Sequence, residues 1–414
     1  MTREKAGMYF IRGMAPQFTN VNVNGEQIPS PEADVRYVAL DAVPSDQLAS
    51  IEVNKSLTPD MDGDAVGGSV NLITRSAQSK TAKISSSFAG GYNNLIKRGN
   101  IQGQLQYGQR LGKNGKTGVL INSSYYHNDL GSDNLERSPQ DNEVELRDYE
   151  LTRTRLGLSG TFDHRFNTNH EIYLRVLYNR FTDREWRRRY VFKPEDDEIE
   201  KLTKDRFEAQ SITTVNLGAK HTFNKFFLNY ELQYSYGEQN TPYDNEIGFI
   251  AGIPSSLNYD NPKYPAINAP GFNDNTQYEF DEAGFGNTLA KDRNLTAKFD
   301  LGIPYKLNNN NGLIKFGMKL RRKEKSFAIT QDYYSAIADI PTLDAFDENP
   351  VKSSFLDGRY DLGRLYQSVL LSGILMQTLP GLKLNWKIKR LMKRWKHMMQ
   401  KKMYTRLYYG KTTI

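Results

Sequence analysis

A strict alternation of apolar and polar residues, held for ten residues or more and repeated along the chain, limits what this sequence can fold into. Phe226, Leu228, Tyr230, Leu232, Tyr234 and Tyr236 alternate with Lys225, Phe227, Asn229, Glu231, Gln233 and Ser235. Leu295, Ala297, Phe299, Leu301 and Ile303 alternate with Asn294, Thr296, Lys298, Asp300 and Gly302, and Ile314, Phe316, Met318 and Leu320 with Lys315, Gly317, Lys319 and Arg321. Similar runs start near Ile84, Ile101, Val119, Leu156, Ile172 and Thr213, so nine strands are expected. A two-residue period places one face of each strand in an apolar medium and the other in a polar one.

An antiparallel sheet on a soluble core shows the same period, so length has to decide. Strands of soluble domains average about five or six residues, whereas crossing a hydrocarbon layer at a tilt takes about ten. The connections also alternate in length. Short turns are expected at Gly112 to Gly115, Asn167 to Asn169, Asn224 to Lys225 and Asn308 to Gly312. Long polar segments are expected at about Asp129 to Arg147, Trp186 to Phe207, Glu238 to Lys291 and Gln331 to Asp361. Short connections at one rim and long ones at the other are the pattern of outer-membrane barrels. Tyr125, Tyr126, Tyr178, Phe181, Tyr234 and Tyr236 lie where an aromatic girdle would sit beside the long segments.

No apolar run has the length of a membrane-spanning helix, so any crossing is made by strands. With no cysteine there is no disulfide frame, thiolate metal site or Cys nucleophile. The net charge of +7 would suggest an anionic partner, but it arises in one place. Residues 362–414 hold twelve Lys and Arg and no Asp or Glu, together with five of the ten Met and two of the three Trp, Trp386 and Trp395. That break in composition is read as translation out of frame, in preference to a basic membrane-surface helix around Trp395, Met398 and Met399.

Residues ahead of the alternating runs have a different character. Tyr9 to Gly13, Asn20 to Asn24 and Ile51 to Lys55 read as short strands, and Ser45 as the N-cap of a short helix through Ala49. Asn24-Gly25 suits a type I′ turn. In Pro59 to Arg75, PDMDGDAVGGSVNLITR, Gly67 and Gly68 precede an apolar strand, where backbone at φ > 0 or a close approach by another segment is expected.

With these stretches in view, the chain resembles the TonB-dependent receptors of Gram-negative outer membranes. The resemblance rests on IRG at Ile11 to Gly13, VNVNG at Val21 to Gly25, PSDQLASIEVNK at Pro44 to Lys55 and the Pro59 to Arg75 stretch, in that order. It implies a mainly β fold, a partial plug domain followed by an incomplete antiparallel transmembrane β-barrel. Residues 1–76 would be the second half of the plug, 77–361 the first nine or so strands of the wall, and 362–414 the out-of-frame tail. The family's export signal, energy-coupling box and first half of the plug are missing, so this chain is not expected to transport alone. In a complete relative, a large substrate such as a siderophore or oligosaccharide binds between plug and external loops. The TonB–ExbB–ExbD energy-coupling complex then pulls on the plug. Outer-membrane lipid and lipopolysaccharide are further expected partners, and nucleic acid is not.

Arg12, Gly13, Asn24, Gly25, Gly67 and Gly68 are expected to shape the plug, with Arg12 pairing a wall carboxylate. Gln17, Phe18, Pro31 and Glu32 are candidate substrate contacts on plug loops. WRRRY at Trp186 to Tyr190 is expected at the top of a strand, towards lipopolysaccharide phosphates. Asp60, Asp62 and Asp64 alternate as in a calcium loop, but Gly63 falls too early and Asn71 stands where the closing Glu belongs. The five histidines show no metal spacing, and no catalytic arrangement is evident, so neither a metal, a cofactor nor an enzyme activity is expected. The competing reading is a soluble β-rich glycan-binding module, which would explain the tyrosines.

Overall fold

The computed structural model describes residues 10–33, 35–38, 43–58, 61–307, 310–335, 342–351, 355–366 and 403–413. A small sheet comes first, built from β1 (Thr19–Val23), β2 (Glu26–Gln27), β3 (Leu48–Asn54) and β4 (Gly68–Thr74) in the order β2-β1-β4-β3. β1 and β4 run parallel and the other pairs antiparallel. Asn24 and Gly25 turn β1 into β2 with φ of 54° and 95°, the left-handed pair that a type I′ turn needs. Val21, Val23, Val70 and Leu72 form the core of this unit with Ile11, Ile28 and Leu48.

Two local expectations are corrected. Ile11 bridges Met14 around a tight turn with Arg12 at φ 56° and Gly13 at φ 72°, so the strand expected over Tyr9 to Gly13 is absent from its described part. The helix expected from Ser45 to Ala49 is a single 3-10 turn, Ser45–Gln47, and Pro44 rather than Ser45 occupies the cap position. Leu48 already belongs to β3, which leaves no residues for a second turn.

Gly67 and Gly68 are held closely, as their place before a strand suggests. Gly68 has φ 139°, and a Cβ there would lie 2.8 Å from the Asn54 carbonyl oxygen. A Cβ on Gly67 would meet the Thr19 hydroxyl at 3.0 Å and the Phe18 carbonyl at 3.1 Å. The pinched point is where β4 enters between β1 and β3.

Strands β5 (Lys83–Asn93), β6 (Arg98–Leu111), β7 (Thr117–Ser138), β8 (Glu143–Asn167), β9 (His170–Lys193), β10 (Glu198–Thr222) and β11 (Phe227–Gly252) follow as a meander. After two short strands, β12 (Ser256–Asn258) and β13 (Ala266–Asn268), come β14 (Glu279–Leu307) and β15 (Asn310–Ser335). A second short pair, β16 (Asp347–Val351) and β17 (Arg364–Tyr366), precedes β18 (Met403–Thr413). The large sheet has ten strands in the order β18-β15-β14-β11-β10-β9-β8-β7-β6-β5, with β18 and β5 at its edges. A strand occurs at each of the nine alternating runs, and β18 adds another from the basic tail. The helical spacing noted at Trp395 to Met399 lies outside the described residues.

Cross-strand register aligns the apolar faces into one band. Ile121, Leu158, Leu174, Leu217, Leu232, Leu295, Phe299, Met318 and Leu320 are all exposed, and neighbours such as Leu217 and Leu232, or Phe299 and Met318, stand directly opposite one another. An exposed apolar surface of this extent calls for an apolar cover. The opposite face carries buried Asn122, Ser124, Thr161, Asn216, Gln233 and Thr296 beneath the small sheet.

The long segments differ from the polar loops expected of them. Residues 129–138 and 143–147, and 186–193 with 198–207, continue the strands as paired hairpins closed by four-residue turns. Charged pairs replace apolar ones on these extensions, including Arg188 to Asp148 at 3.0 Å and Arg187 to Glu246 at 2.6 Å. On the face that is bare lower down, Leu146, Tyr190, Phe192 and Ile199 are buried under Phe272 and Tyr278 of the β11–β14 connection and under Leu343, Phe355 and Leu362. Towards the long hairpins this face acquires a protein cover. Tyr126 and Phe181 also depart from the girdle, since both share the bore face with the buried residues.

Two substitutions probe these features. Gly68→Ala should lower unfolding stability of the small sheet by about 1–3 kcal/mol, the scale of a strained backbone position, read by denaturant titration of the detergent-solubilised chain. Leu217→Arg should cost about 2–4 kcal/mol in lipid vesicles and much less in denaturant-free detergent with a thin apolar layer.

Candidate functional site at the plug and wall interface

Along β15, every second side chain points into the bore, and these positions read Lys315, Gly317, Lys319, Arg321, Lys323 and Lys325. The period that turns Phe316, Met318 and Leu320 outward thus creates a basic stripe inside. Opposite it the small sheet presents carboxylates. Lys319 Nζ lies 2.8 Å from Glu26 Oε2 and 3.1 Å from Asp62 Oδ1. The Arg321 guanidinium donates to Asp62 Oδ2 at 2.8 Å and to the Gln27 side-chain oxygen at 2.8 Å. Nearer the rim with the long hairpins, Lys325 Nζ donates to the backbone carbonyls of Glu32 and Val35, both at 2.6 Å.

The two acids respond differently to this setting. Burial raises the Glu26 carboxyl above its ordinary value despite the pull of Lys319. Burial also pushes Asp62 upward, but hydrogen bonds and charges from Arg321 and Lys319 outweigh it and hold Asp62 below the usual aspartate range. Asp62 is therefore the firmer anchor.

On the other side of the bore hydrogen bonds join the small sheet to the wall. Asn122 Nδ2 donates to the Asp46 carbonyl at 2.9 Å, the Thr161 hydroxyl to the Arg75 carbonyl at 2.9 Å, and Arg75 Nη1 to Gln106 at 2.9 Å. Gly157 leaves room for this approach, since a Cβ there would stand 2.5 Å from Gln47 Nε2. Leu177 and Ile212 reach from the wall into the buried apolar core of the small sheet.

Where the chain passes from small sheet to wall, Arg110 makes a buried staple. It donates to Asp163 at 2.7 Å, and to the carbonyls of Ala77, Gly115 and Lys116 at 3.0, 2.7 and 3.1 Å. All the neighbours are oxygens, so the buried guanidinium is paired and hydrogen-bonded.

The candidate residues fall into groups. Asn24 and Gly25 lie at the short-turn end, lining a cavity of about 170 Å³ with Lys220 and Asn229. β1 runs away from them, so Gln17 and Phe18, both exposed, lie at the end facing the long hairpins. Pro31 is buried and Glu32 half-buried, near Lys325. Arg12 is exposed in its turn, and among the described residues no wall carboxylate pairs with it. The ionic contact has the reverse polarity, with acids on the small sheet and cations on the wall.

Asp62 serves in that contact, and Asp64 accepts from Asn20 at 2.6 Å and pairs with Arg36 at 3.3 Å, while Asp60 lies outside the described residues. Among the described residues no cluster of three or more metal-ligating side chains occurs. Within WRRRY, Arg187 and Arg188 are engaged by carboxylates of neighbouring strands. The signal for the basic stripe was present as five cations at alternate positions of one run, but an alternation names a face and not its partner.

Residues 2–69 match the family model described as the TonB-dependent Receptor Plug Domain. Among curated proteins, none matches the sequence. Among solved structures, the chain is similar to the ferric enterobactin receptor PfeA of Pseudomonas aeruginosa, at 11% identity over 78% of this chain and 65% of that one, with a TM-score of 0.35. It is similar also to BauA, the ferric preacinetobactin receptor of Acinetobacter baumannii, at 13% identity over 83% and 60% with a TM-score of 0.28. The ferric-catecholate import receptor Fiu of E. coli K12 gives 10% identity over 80% and 73%, with a TM-score of 0.26. The chain thus spans less than two thirds of the length of the first two receptors.

The acids make opposite pH predictions. Because Asp62 is lowered, its contribution to docking is present above the ordinary aspartate range and fades as pH falls through its folded value. Asp62→Asn should therefore weaken docking by about 1.5–3 kcal/mol at neutral pH, the scale of a charged hydrogen bond, and make little difference in strong acid. Glu26 is raised, so its contribution is greatest when protonated and declines as pH rises. The loss caused by Glu26→Gln should shrink with rising pH, and protease protection of residues 10–75 measured across pH would reveal both trends.

Proposed function

We propose, on the premise that this chain is a TonB-dependent receptor with a plug seated against a β-wall, that it belongs to a receptor for active uptake of a large substrate across the Gram-negative outer membrane. The observation that carries this reading is the polar contact between plug and wall. Glu26 and Asp62 meet Lys319 and Arg321 through charges and hydrogen bonds, while Leu177 and Ile212 are the wall's members of the buried apolar cluster among the described residues. A polar interface can exchange its hydrogen bonds for water, so a pull on the plug separates it without exposing an apolar surface. In this reading the TonB–ExbB–ExbD complex supplies that pull and outer-membrane lipid covers the apolar band.

Gln17, Phe18, Pro31 and Glu32 are proposed to meet substrate, because the end of the plug that carries them faces the long hairpins. Arg12, Gly13, Gly67 and Gly68 are proposed to set the shape of that end. The plug extends in this proposal over residues 1–76 and the wall from 77 to at least 361. Substrate class is proposed only as large and externally supplied, with ferric siderophores and oligosaccharides the first to test.

The experiment is binding of a panel of ferric siderophores and oligosaccharides to the detergent-solubilised full chain, with Phe18→Ala and Gln17→Ala beside it. A receptor should bind one class, and these variants should weaken that binding about tenfold, roughly 1.4 kcal/mol. A chain that stays monomeric and folded without detergent would instead support the soluble glycan-binding module and overturn the receptor reading.

A further inference from the structure

His170 opens β9 and His221 is the last residue but one of β10, and the antiparallel register sets them directly opposite one another at the short-turn rim. Their Nδ1 atoms are 3.0 Å apart. His221 Nε2 lies 3.3 Å from the Tyr230 hydroxyl on the next strand. Both imidazoles pack on Phe223, at ring-centre distances of 5.2 and 6.3 Å, and Phe223 stacks on Phe226 at 4.5 Å. Sequence spacing could not show this pair, because 50 residues separate its members and only the hairpin register joins them.

We propose that His170 and His221 form a two-nitrogen site for a tetragonal divalent transition-metal ion, of which Cu2+ is the best matched. Two cis nitrogens bound at about 2.0–2.1 Å with a right angle between them stand about 2.9 Å apart, close to the spacing found. The outer partner of His221 is able to support the tautomer that ligation needs. When Nε2–H donates to the Tyr230 oxygen, the Nδ1 lone pair is left facing His170, in the way that ligating histidines are usually oriented by a second hydrogen bond. Phe223 limits rotation of both rings, so little ordering remains for the ion to impose. Both histidines are partly exposed beside the exposed turn residues Thr168 and Asn169, which leaves water free to fill the other coordination positions. The ion would join β9 to β10 at the membrane edge, away from the plug contacts.

The test is addition of one equivalent of Cu2+ to the detergent-solubilised full chain, read by electron paramagnetic resonance and calorimetry. One bound ion with hyperfine coupling to two nitrogens is expected. Tyr230→Phe should keep that signature but weaken binding about tenfold, whereas His170→Gln and His221→Gln should each abolish the two-nitrogen signal. His164→Gln is the control, because His164 is hydrogen-bonded to Thr117 on a different pair of strands. A spectrum from the unsubstituted chain with one nitrogen or none overturns the proposal, even where a variant fails to fold. Retention of the tight equivalent by the His170→Gln, His221→Gln double variant overturns it too.

Discussion

A strand satisfies its backbone polar groups through a neighbouring strand, and that constraint orders the rest of this molecule. Long, continuous pairing from β5 to β15 follows from it, and the two-residue period then divides side chains into two populations. One population, with Leu217, Leu232 and Phe299 in it, has to find an apolar medium. The other, with Asn216, Gln233 and Thr296, has to find polar partners in the bore. The small sheet supplies these partners, so its seat follows from how the wall divides its side chains between two faces.

This explains why the plug is held by charge and hydrogen bonds. The wall cannot turn its apolar residues inward without losing its outer band, because a strand has only two faces. A basic stripe on β15 therefore needs an acidic complement, and Glu26 of β2 and Asp62 of the β3–β4 connection provide it. The closeness of Gly157 to Gln47 and the staple of Arg110 at Ala77 fix the height at which the complement sits. Where a single cation serves two acids, as Lys319 does, the more exposed and better hydrogen-bonded acid keeps its charge and the more buried one gives up part of its advantage.

Much of this was legible in the sequence because period, turn chemistry and strand length are local properties. Asn24-Gly25 takes the two positive φ angles that its residue types favour, and Gly67-Gly68 sits at a contact too close for a side chain. Partners distant in sequence were not legible. Arg12 invited a wall carboxylate, but the structure brings wall cations to Glu26 and Asp62, since alternation fixes which way Lys319 points and says nothing of what lies opposite. The 3-10 turn at Ser45 was hidden for a related reason. A good capping residue signals a helix start, while the demand of β3 for Leu48 sets where the helix has to stop.

The long hairpins follow from the same constraint. Beyond the apolar band β7 to β11 keep their pairing, with opposite charges such as Arg188 and Asp148 facing one another across it. The outward face is then in water and its apolar residues need cover. Phe272 and Tyr278 of the β11–β14 connection provide it, with the Lys201 ammonium donating to the Phe272 carbonyl at 2.7 Å and lying over the Tyr278 ring at 4.1 Å. A segment that reads as polar by composition is thus tied to the sheet by a few aromatic residues. The face that these aromatics cover is continuous with the exposed apolar band below.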